Sequence, residues 1–270
     1  MATSFACDSR ALAETYDRLS DSQFENGKNL VEHLGSLEGA RVLDVGCGTG
    51  RLARWIADRI GPSGTVVGID PLPERVAIAR AAARGIRFEV GRAEDLSAFA
   101  SRSFDAVTMS SVFHWVTDKP RALAEARRVL APGGRLGLTT IARDLGTRST
   151  LYATLGSVLQ RAPYADRIPA TEWPAAPPGQ NTSDLISTVM NSGLEITEMH
   201  IMRRCWRRAS GQELVEFFES SSFGNLLHSV PEDLRDRLRA DLTAAFEARR
   251  DRDGIPVKAW TTLLIAKADQ

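Results

Sequence analysis

The sequence is short of cysteine, of net charge and of long apolar runs, and each shortage removes a class of protein. Cys7, Cys47 and Cys205 are odd in number and far apart. That pattern offers neither a disulfide framework nor a zinc site, and it fits a reducing cytoplasm. Lys+Arg and Asp+Glu are both 34, so no global charge points to nucleic acid or to an anionic membrane. No uninterrupted apolar run approaches the roughly 20 residues of a membrane-spanning helix. The stretch Met1 to Arg10 lacks the basic start and apolar centre of a secretory leader, so a cytoplasmic location is expected. Repeats and low-complexity tracts are absent. His33, His200, His228 and Cys205 have no partner at a spacing that suggests a ligand set or a triad, and the sequence assigns them no role. With 270 residues, the chain has room for one large α/β domain or a domain with an inserted cap.

What is present is organised around Arg41-Val-Leu-Asp-Val-Gly-Cys-Gly-Thr-Gly50. Val42, Leu43 and Val45 form the apolar run of a strand buried on both faces. Gly46, Gly48 and Gly50 follow at alternate positions, permitting a tight turn and a close approach to the backbone. Arg51 to Ile60 then reads as a helix with Leu52, Trp55, Ile56 and Ile60 on one face. Strand, glycine turn and helix place backbone N–H groups where a nucleotide-like ligand would sit. The dinucleotide fingerprint G-x-G-x-x-G requires glycine where this chain has Arg51.

The string Val42-Leu-Asp-Val-Gly-Cys-Gly-Thr-Gly50 resembles the first motif of class I S-adenosylmethionine-dependent methyltransferases. Arg128-Val-Leu-Ala-Pro-Gly-Gly134 resembles a late, structural motif of the same family. The resemblance implies S-adenosyl-L-methionine as cofactor, held by Asp44, Gly46, Cys47, Gly48 and Gly50. Thr65 to Asp70 reads as the second strand, and an acid about twenty residues past the glycine turn suits both ribose hydroxyls. Asp70 could instead cap the helix that Pro71 and Pro73 start; Pro71 and Leu72 are expected beside it in the cofactor site. After a third strand over 85–90, the family places an acidic contact to the adenine amino group. Asp95 fits that role, with Ala93 and Glu94 beside the ring.

Phe104 to Ser110 reads as the fourth strand, 120–130 as a helix and 131–140 as a turn and fifth strand. This alternation predicts a parallel doubly wound sheet. The string Ser110-Ser-Val-Phe-His-Trp-Val-Thr-Asp118 resembles small-acid methyltransferases, such as those acting on trans-aconitate or juvenile hormone acid. Those carry Gln-Trp or a close variant where this chain has His114-Trp115, so a carboxylate, phenol, enol or amine acceptor each remains open. His114 is the candidate general base, or else a hydrogen-bonded wall residue. Phe113 and Trp115 are expected to line the acceptor pocket, with Ser110 touching the cofactor. Helices over 11–19 and 22–34, the second capped by Ser22, form an N-terminal lid over residues 1–40. There Tyr16 and Phe24 either contact the ligands or pack the lid.

Beyond the cofactor core (41–142), the segment 143–270 is read as cap helices and the remaining strands. Helices are expected over 149–159, 181–190 (capped near Thr182 or Ser183), 212–221 and 231–250. Strands are expected over 194–206 and 255–268, and 161–180 reads as a Pro-rich loop with Trp173. Arg203, Arg204, Arg207 and Arg208 are expected to pair with acids such as Glu195 and Glu198 on a solvated strand face. The expected class is a Rossmann-like seven-stranded doubly wound α/β sheet with helical cap insertions. The expected function is methyl transfer to a small-molecule acceptor, with no metal, nucleic acid or membrane. The competing readings are an NAD-dependent oxidoreductase and a cofactor-binding family member without catalysis.

Overall fold

The computed structural model describes residues 4–83, 85–141, 144, 149–170, 180–228 and 230–269. The chain divides into two compact units.

The larger, sheet unit holds Asp21–Asp144, Gly179–Met202 and Thr261–Gln270. Its strands are β1 (Arg41–Val45), β2 (Thr65–Asp70), β3 (Arg87–Val90), β4 (Phe104–Met109) and β5 (Leu130–Ile141), with parts of β6 (Leu194–Arg208) and β7 (Ile255–Ala268). They form one seven-stranded sheet in the order β3-β2-β1-β4-β5-β7-β6. The first five strands pair in parallel, and β7 runs antiparallel to β5. The sequence order reverses between β1 and β4, which makes their C-terminal ends the topological switch point where ligands of open α/β sheets bind.

Side-chain alternation explains why both faces of the sheet are covered. Val42 and Ala106 point into a core with Ile56 of α3 (Arg51–Ala57) and with Val76 and Ala79 of α4 (Pro73–Ala82). Their neighbours Leu43 and Val107 point into a second core. That core holds Leu123 and Ala126 of α5 (Lys119–Val129) and Leu185 and Val189 of α8 (Thr182–Asn191). Consecutive strand residues facing two apolar layers is the signature of a parallel sheet buried on both sides. α5 starts where Asp118 accepts from the Arg121 N–H, with Pro120 in its first turn. α2 (Asp21–His33) packs through Leu30, with Leu34 just past its end, against Leu263 and Ile265.

The helical unit holds Met1–Ser20, Leu145–Pro178 and Arg203–Trp260. α1 (Arg10–Leu19), α6 (Thr150–Leu159), α9 (Gly211–Ser221) and α11 (Glu232–Glu247) meet in one apolar cluster. Leu234, Leu238, Leu242 and Phe246 form the expected stripe of α11 and are all buried. α10 (Asn225–His228) contributes Leu226 and Leu227.

Several local expectations are corrected. Ser22 is no cap: α2 already begins at Asp21, with only Ser20 between it and the end of α1, and the Ser22 hydroxyl donates to Gln23. The cap position of α8 is Asn181, and the carboxylate of Asp144 takes both the N–H and the hydroxyl of Thr182. A short helix, α7 (Tyr164–Arg167), interrupts the expected loop because the Tyr164 ring buries itself in the apolar cluster. Trp173 and the prolines at 174, 177 and 178 lie outside the described residues. The arginines of β6 do not pair with Glu198. Arg207 pairs with Asp251, Arg208 donates to the Leu19 carbonyl, and Glu198 is held by two histidines.

Candidate active site

The glycine turn is built as its residues require. Gly46, Gly48 and Gly50 all have positive φ (73°, 55° and 79°), a region that costs residues with a Cβ. The N–H groups of Gly46 and Cys47 both donate to the Ile69 carbonyl, tying the turn to the end of β2. The space left by the missing Cβ of Gly46 is filled from within the protein, since an added Cβ would lie 2.2 Å from Cγ2 of Val112. At Gly50 the close neighbours are the Phe88 ring and Ala79. Two of the three glycines therefore serve the turn and its packing as well as any ligand.

Asp70 closes the turn from below. One carboxylate oxygen accepts from the Gly48 N–H at 2.9 Å and the other from the Leu72 N–H at 3.0 Å. The acid thus caps the chain entering α4 while its carboxylate lies against the glycine turn. Pro71 is half-buried and Leu72 is buried. Cys47 is buried beside both acids, and burial together with Asp70 and Asp44 pushes its thiol well above the usual range. It stays protonated and chemically quiet.

Asp44 is the second acid and is 1% exposed. In the β1–β4 register it faces Thr108, whose hydroxyl donates to Oδ1 at 2.7 Å. Oδ2 is buried without a partner among the described residues. Burial raises the carboxyl to about 7; the Thr108 hydrogen bond opposes the rise and the charge on Asp70 adds to it. Thr108 was not foreseen because strand register cannot be read from one sequence.

β4 leads to the second half of the site. Ser111 adopts φ 60° and its N–H donates to the Thr139 hydroxyl, turning the chain sharply after Ser110. Phe113 is fully buried in the same apolar core as Leu43 and Leu123. His114 is 7% exposed, and its Nδ1 is buried with no partner among the described residues. Burial, with a smaller push from the Lys119 charge, lowers the imidazole to about 3. Trp115 is half-buried, with its ring 5.4 Å from the His114 ring.

The loop after β3 is joined to this segment. Glu94 accepts from both the N–H and the hydroxyl of Thr117, and Arg121 donates to its carbonyl. Burial pushes the Glu94 carboxyl up, but backbone and Thr117 donors outweigh it and leave it below the usual range. Ala93 is buried, whereas Asp95 is exposed and held low by hydrogen bonds from Ser97.

α2 comes down onto the glycine turn. A Cβ on Gly27 would lie 2.8 Å from Leu52 and 3.2 Å from the Ser110 hydroxyl. Arg51 reaches Asp21 at 2.7 Å and lies 4.8 Å from the centre of the Phe24 ring. The residue that departs from the dinucleotide fingerprint is thus the one that anchors α2. Tyr16 belongs to α1 in the helical unit and is half-buried there. The structure therefore gathers Asp44, the glycines, Cys47, Asp70, Pro71 and Leu72 around one turn. Ser110, Phe113, His114 and Trp115 lie on the adjoining segment.

Comparison with known proteins agrees with this architecture. A family model described as "Methyltransferase domain" matches residues 43–138. An uncharacterized methyltransferase of Mycobacterium tuberculosis is 40% identical over 134 residues, 49% of this chain and 52% of that protein. The nocamycin O-methyltransferase of Saccharothrix syringae is 39% identical over 135 residues, 47% of this chain and 48% of that protein. The matches thus span about half the length of these relatives. Among solved structures, a SAM-dependent methyltransferase from Methanosarcina mazei has a TM-score of 0.53 at 18% identity, covering 88% of this chain and 96% of that one. The [4+2]-cyclase SpnF has a TM-score of 0.58 at 22% identity, covering 91% and 80%. At such identities the two structures speak for the fold alone. Motif, strand order and family match agree over the same stretch: residues 43–138 match the methyltransferase-domain family.

Proposed function

We propose that the chain transfers the methyl group of S-adenosyl-L-methionine to a small organic acceptor. One observation carries this reading. Asp44 Oδ2 near the end of β1 and His114 Nδ1, on the segment that follows β4, are both buried and both lack a partner among the described residues. Buried polar atoms are nearly always satisfied, so an unfilled pair at a switch point marks where ligand groups belong.

The two atoms suit different ligands. Asp44, raised to about 7 by burial, gains most from a positive charge that restores its carboxylate. An amino acid ammonium or a sulfonium supplies that charge. Asp70 and the glycine turn suit a ribose, and Ala93, Glu94 and Asp95 suit an adenine. Bound there, the cofactor would supply an already activated methyl, so the protein's own work is alignment and exclusion of water. His114 Nδ1, buried without a partner among the described residues, can accept a hydrogen bond from an acceptor O–H or N–H when the ring carries its proton at Nε2. Its imidazole is neutral throughout the physiological range, which keeps that nitrogen open as an acceptor of hydrogen bonds.

A general base of ordinary imidazole basicity at His114 would give turnover that rises with pH through one ionisation. Burial moves that ionisation to about 3, so no His114 limb should appear in an assay above about pH 5. The acceptor is proposed to be small and organic, because the balanced charge offers no broad basic surface for nucleic acid. Among the described residues no helix is long and apolar enough to cross a membrane.

The test is calorimetric titration with S-adenosylhomocysteine and separately with NADH, on wild type and Asp44→Asn. Homocysteine-form binding that weakens at least tenfold in Asp44→Asn is the expected result. NADH binding in its place would transfer the chain to the oxidoreductases. Binding with no turnover across a broad acceptor panel would leave a cofactor-binding protein without methyl transfer.

A further inference from the structure

His33, Glu198 and His200 are scattered in sequence and silent there, yet they meet on the surface of the sheet unit. His33 is the last residue of α2, and Glu198 and His200 lie two apart on the edge strand β6. Glu198 Oε1 lies 2.6 Å from His33 Nδ1 and 2.5 Å from His200 Nε2. One ligand atom from each of the three falls within 4.8 Å of the other two, and the imidazole centres are 4.7 Å apart. The side chains are 29%, 35% and 42% exposed in the order His33, Glu198, His200, so an ion can reach them from solvent.

We propose that His33, Glu198 and His200 form a binding site for a divalent transition-metal ion of the zinc type. Two imidazole nitrogens and a carboxylate are the donor set of borderline ions, whereas magnesium and calcium favour all-oxygen shells. The geometry is close to that of a loaded site. Both nitrogens converge on one point, now held by Oε1, at a distance only about 0.5 Å longer than a zinc–nitrogen bond of about 2.0–2.1 Å. An ion entering at that point takes the lone pair of each imidazole nitrogen, and the proton that nitrogen shared with Oε1 passes to the ring's other nitrogen by way of solvent or is released to water. Glu198 turns about its own side-chain bonds to become the third ligand, and water completes the shell.

The framework holds the donors in place without the ion. Leu30 of α2 and Leu34 just past its end are packed against Leu263 and Ile265, and Met202, two residues past His200, packs on the same cluster. Helix and strand are therefore fixed relative to each other beside the three ligands, which lowers the ordering cost of binding. An ion here would clasp the C-terminal end of the helix whose N-terminal half engages Arg51 at the glycine turn. None of these residues belongs to the proposed methyl-donor site, so the two readings can fail separately.

The full-length chain, freed of metal with a chelator, is titrated with Zn²⁺ by calorimetry and followed by thermal unfolding. One equivalent should bind, with a midpoint that rises under saturating Zn²⁺ and does not move with Mg²⁺. His33→Ala and His200→Ala should each weaken binding at least tenfold. Glu198→Gln, which keeps shape and one oxygen donor, should weaken it less. A combined Cys7→Ser, His228→Ala variant should bind as wild type does, since Cys7 and His228 form a separate thiol–imidazole pair 3.3 Å apart. Co²⁺ bound in place of Zn²⁺ should give a visible spectrum without a thiolate band. Absence of stoichiometric binding would overturn the proposal. So would affinity that survives His33→Ala and His200→Ala, or an equal response to Mg²⁺.

Discussion

Among the described residues, the charged and imidazole side chains buried almost completely are Asp44, Asp70, Arg75 and His114, and all four belong to the sheet unit. The helical unit buries only hydroxyls to that degree: Ser20, Thr150, Thr154, Ser220, Ser222 and the phenol of Tyr164. Tyr164 is complete in itself, its hydroxyl donating to Asp241 at 2.7 Å. Asp44 and His114 are not complete, each keeping a buried polar atom without a partner. Burying an ionisable group costs stability unless something repays it, and the ligand proposed above would do so. The contrast is one of charge: the sheet unit leaves ionisable side chains buried and incomplete, whereas the fully buried polar side chains of the helical unit are hydroxyls, of which Thr154 Oγ1 also lacks a partner among the described residues.

Truncating the packing should cost most in stability and least in ligand affinity. Phe246 is fully buried in the helical cluster, and Phe246→Ala should lower unfolding free energy by about 3–5 kcal/mol in urea titration. S-adenosylhomocysteine affinity, measured where the variant is still folded, should stay within about twofold of wild type. A loss of affinity in step with stability would break the contrast between the units.

The next effect sets Asp44 against His114. His114 has a folded value of about 3 against 6.5 unfolded, so it contributes stability that is present above pH 6.5 and lost as pH falls toward 3. Asp44 has a folded value of about 7 against 3.8 unfolded, so its ionisation removes stability as pH rises from about 4 to 7. Each excursion is on the order of 4 kcal/mol, and between pH 4 and 6.5 the two oppose each other. The wild-type stability curve should therefore be nearly flat there. Asp44→Asn should expose a rise with pH, and His114→Gln a fall. Parallel curves for all three proteins would mean that neither group is buried as described.

Catalysis gives a smaller figure. His114→Ala should lower turnover about a hundredfold, roughly 2.7 kcal/mol, with cofactor affinity nearly unchanged. A loss confined to the Michaelis constant for the acceptor would reduce His114 to a wall of the pocket.

How much of this was legible depended on whether the signal was local. The glycine turn, β1 through β5 and the α11 stripe were readable, because a run of apolar residues or a 3.6-residue period fixes an element by itself. Seven strands, with the last two separated by helices, were expected and found. The expected reach of Asp44 and Asp70 rested on position alone; their hydrogen bonds to Thr108 and Leu72 depend on register and backbone path. Val112 filling the gap at Gly46 is equally invisible, since it joins residues 66 apart. The same reason hid His33 from Glu198. Zinc-type spacing is a property of short stretches, while this meeting joins a helix end to an edge strand 165 residues later.

The smallest effect tests whether α2 belongs with the chemistry or with the packing. Arg51 holds α2 in two ways, through the Asp21 carboxylate at 2.7 Å and over the Phe24 ring at 4.8 Å. Asp21 is 65% exposed, so the ion pair is screened and worth at most about 1 kcal/mol. The ring contact adds about 0.5–1 kcal/mol and is much less sensitive to salt. Arg51→Ala should therefore cost about 1 kcal/mol in stability. A double-mutant cycle with Asp21→Ala should show coupling that fades in 1 M salt, whereas the cycle with Phe24→Ala should persist. If α2 closes over the cofactor, S-adenosylhomocysteine affinity should drop about fivefold in Arg51→Ala, since about 1 kcal/mol of helix docking is then spent on binding. Unchanged affinity at reduced stability would make Asp21, Phe24 and Arg51 a packing device, and would leave Asp44 and His114 as the chemistry of the sheet unit.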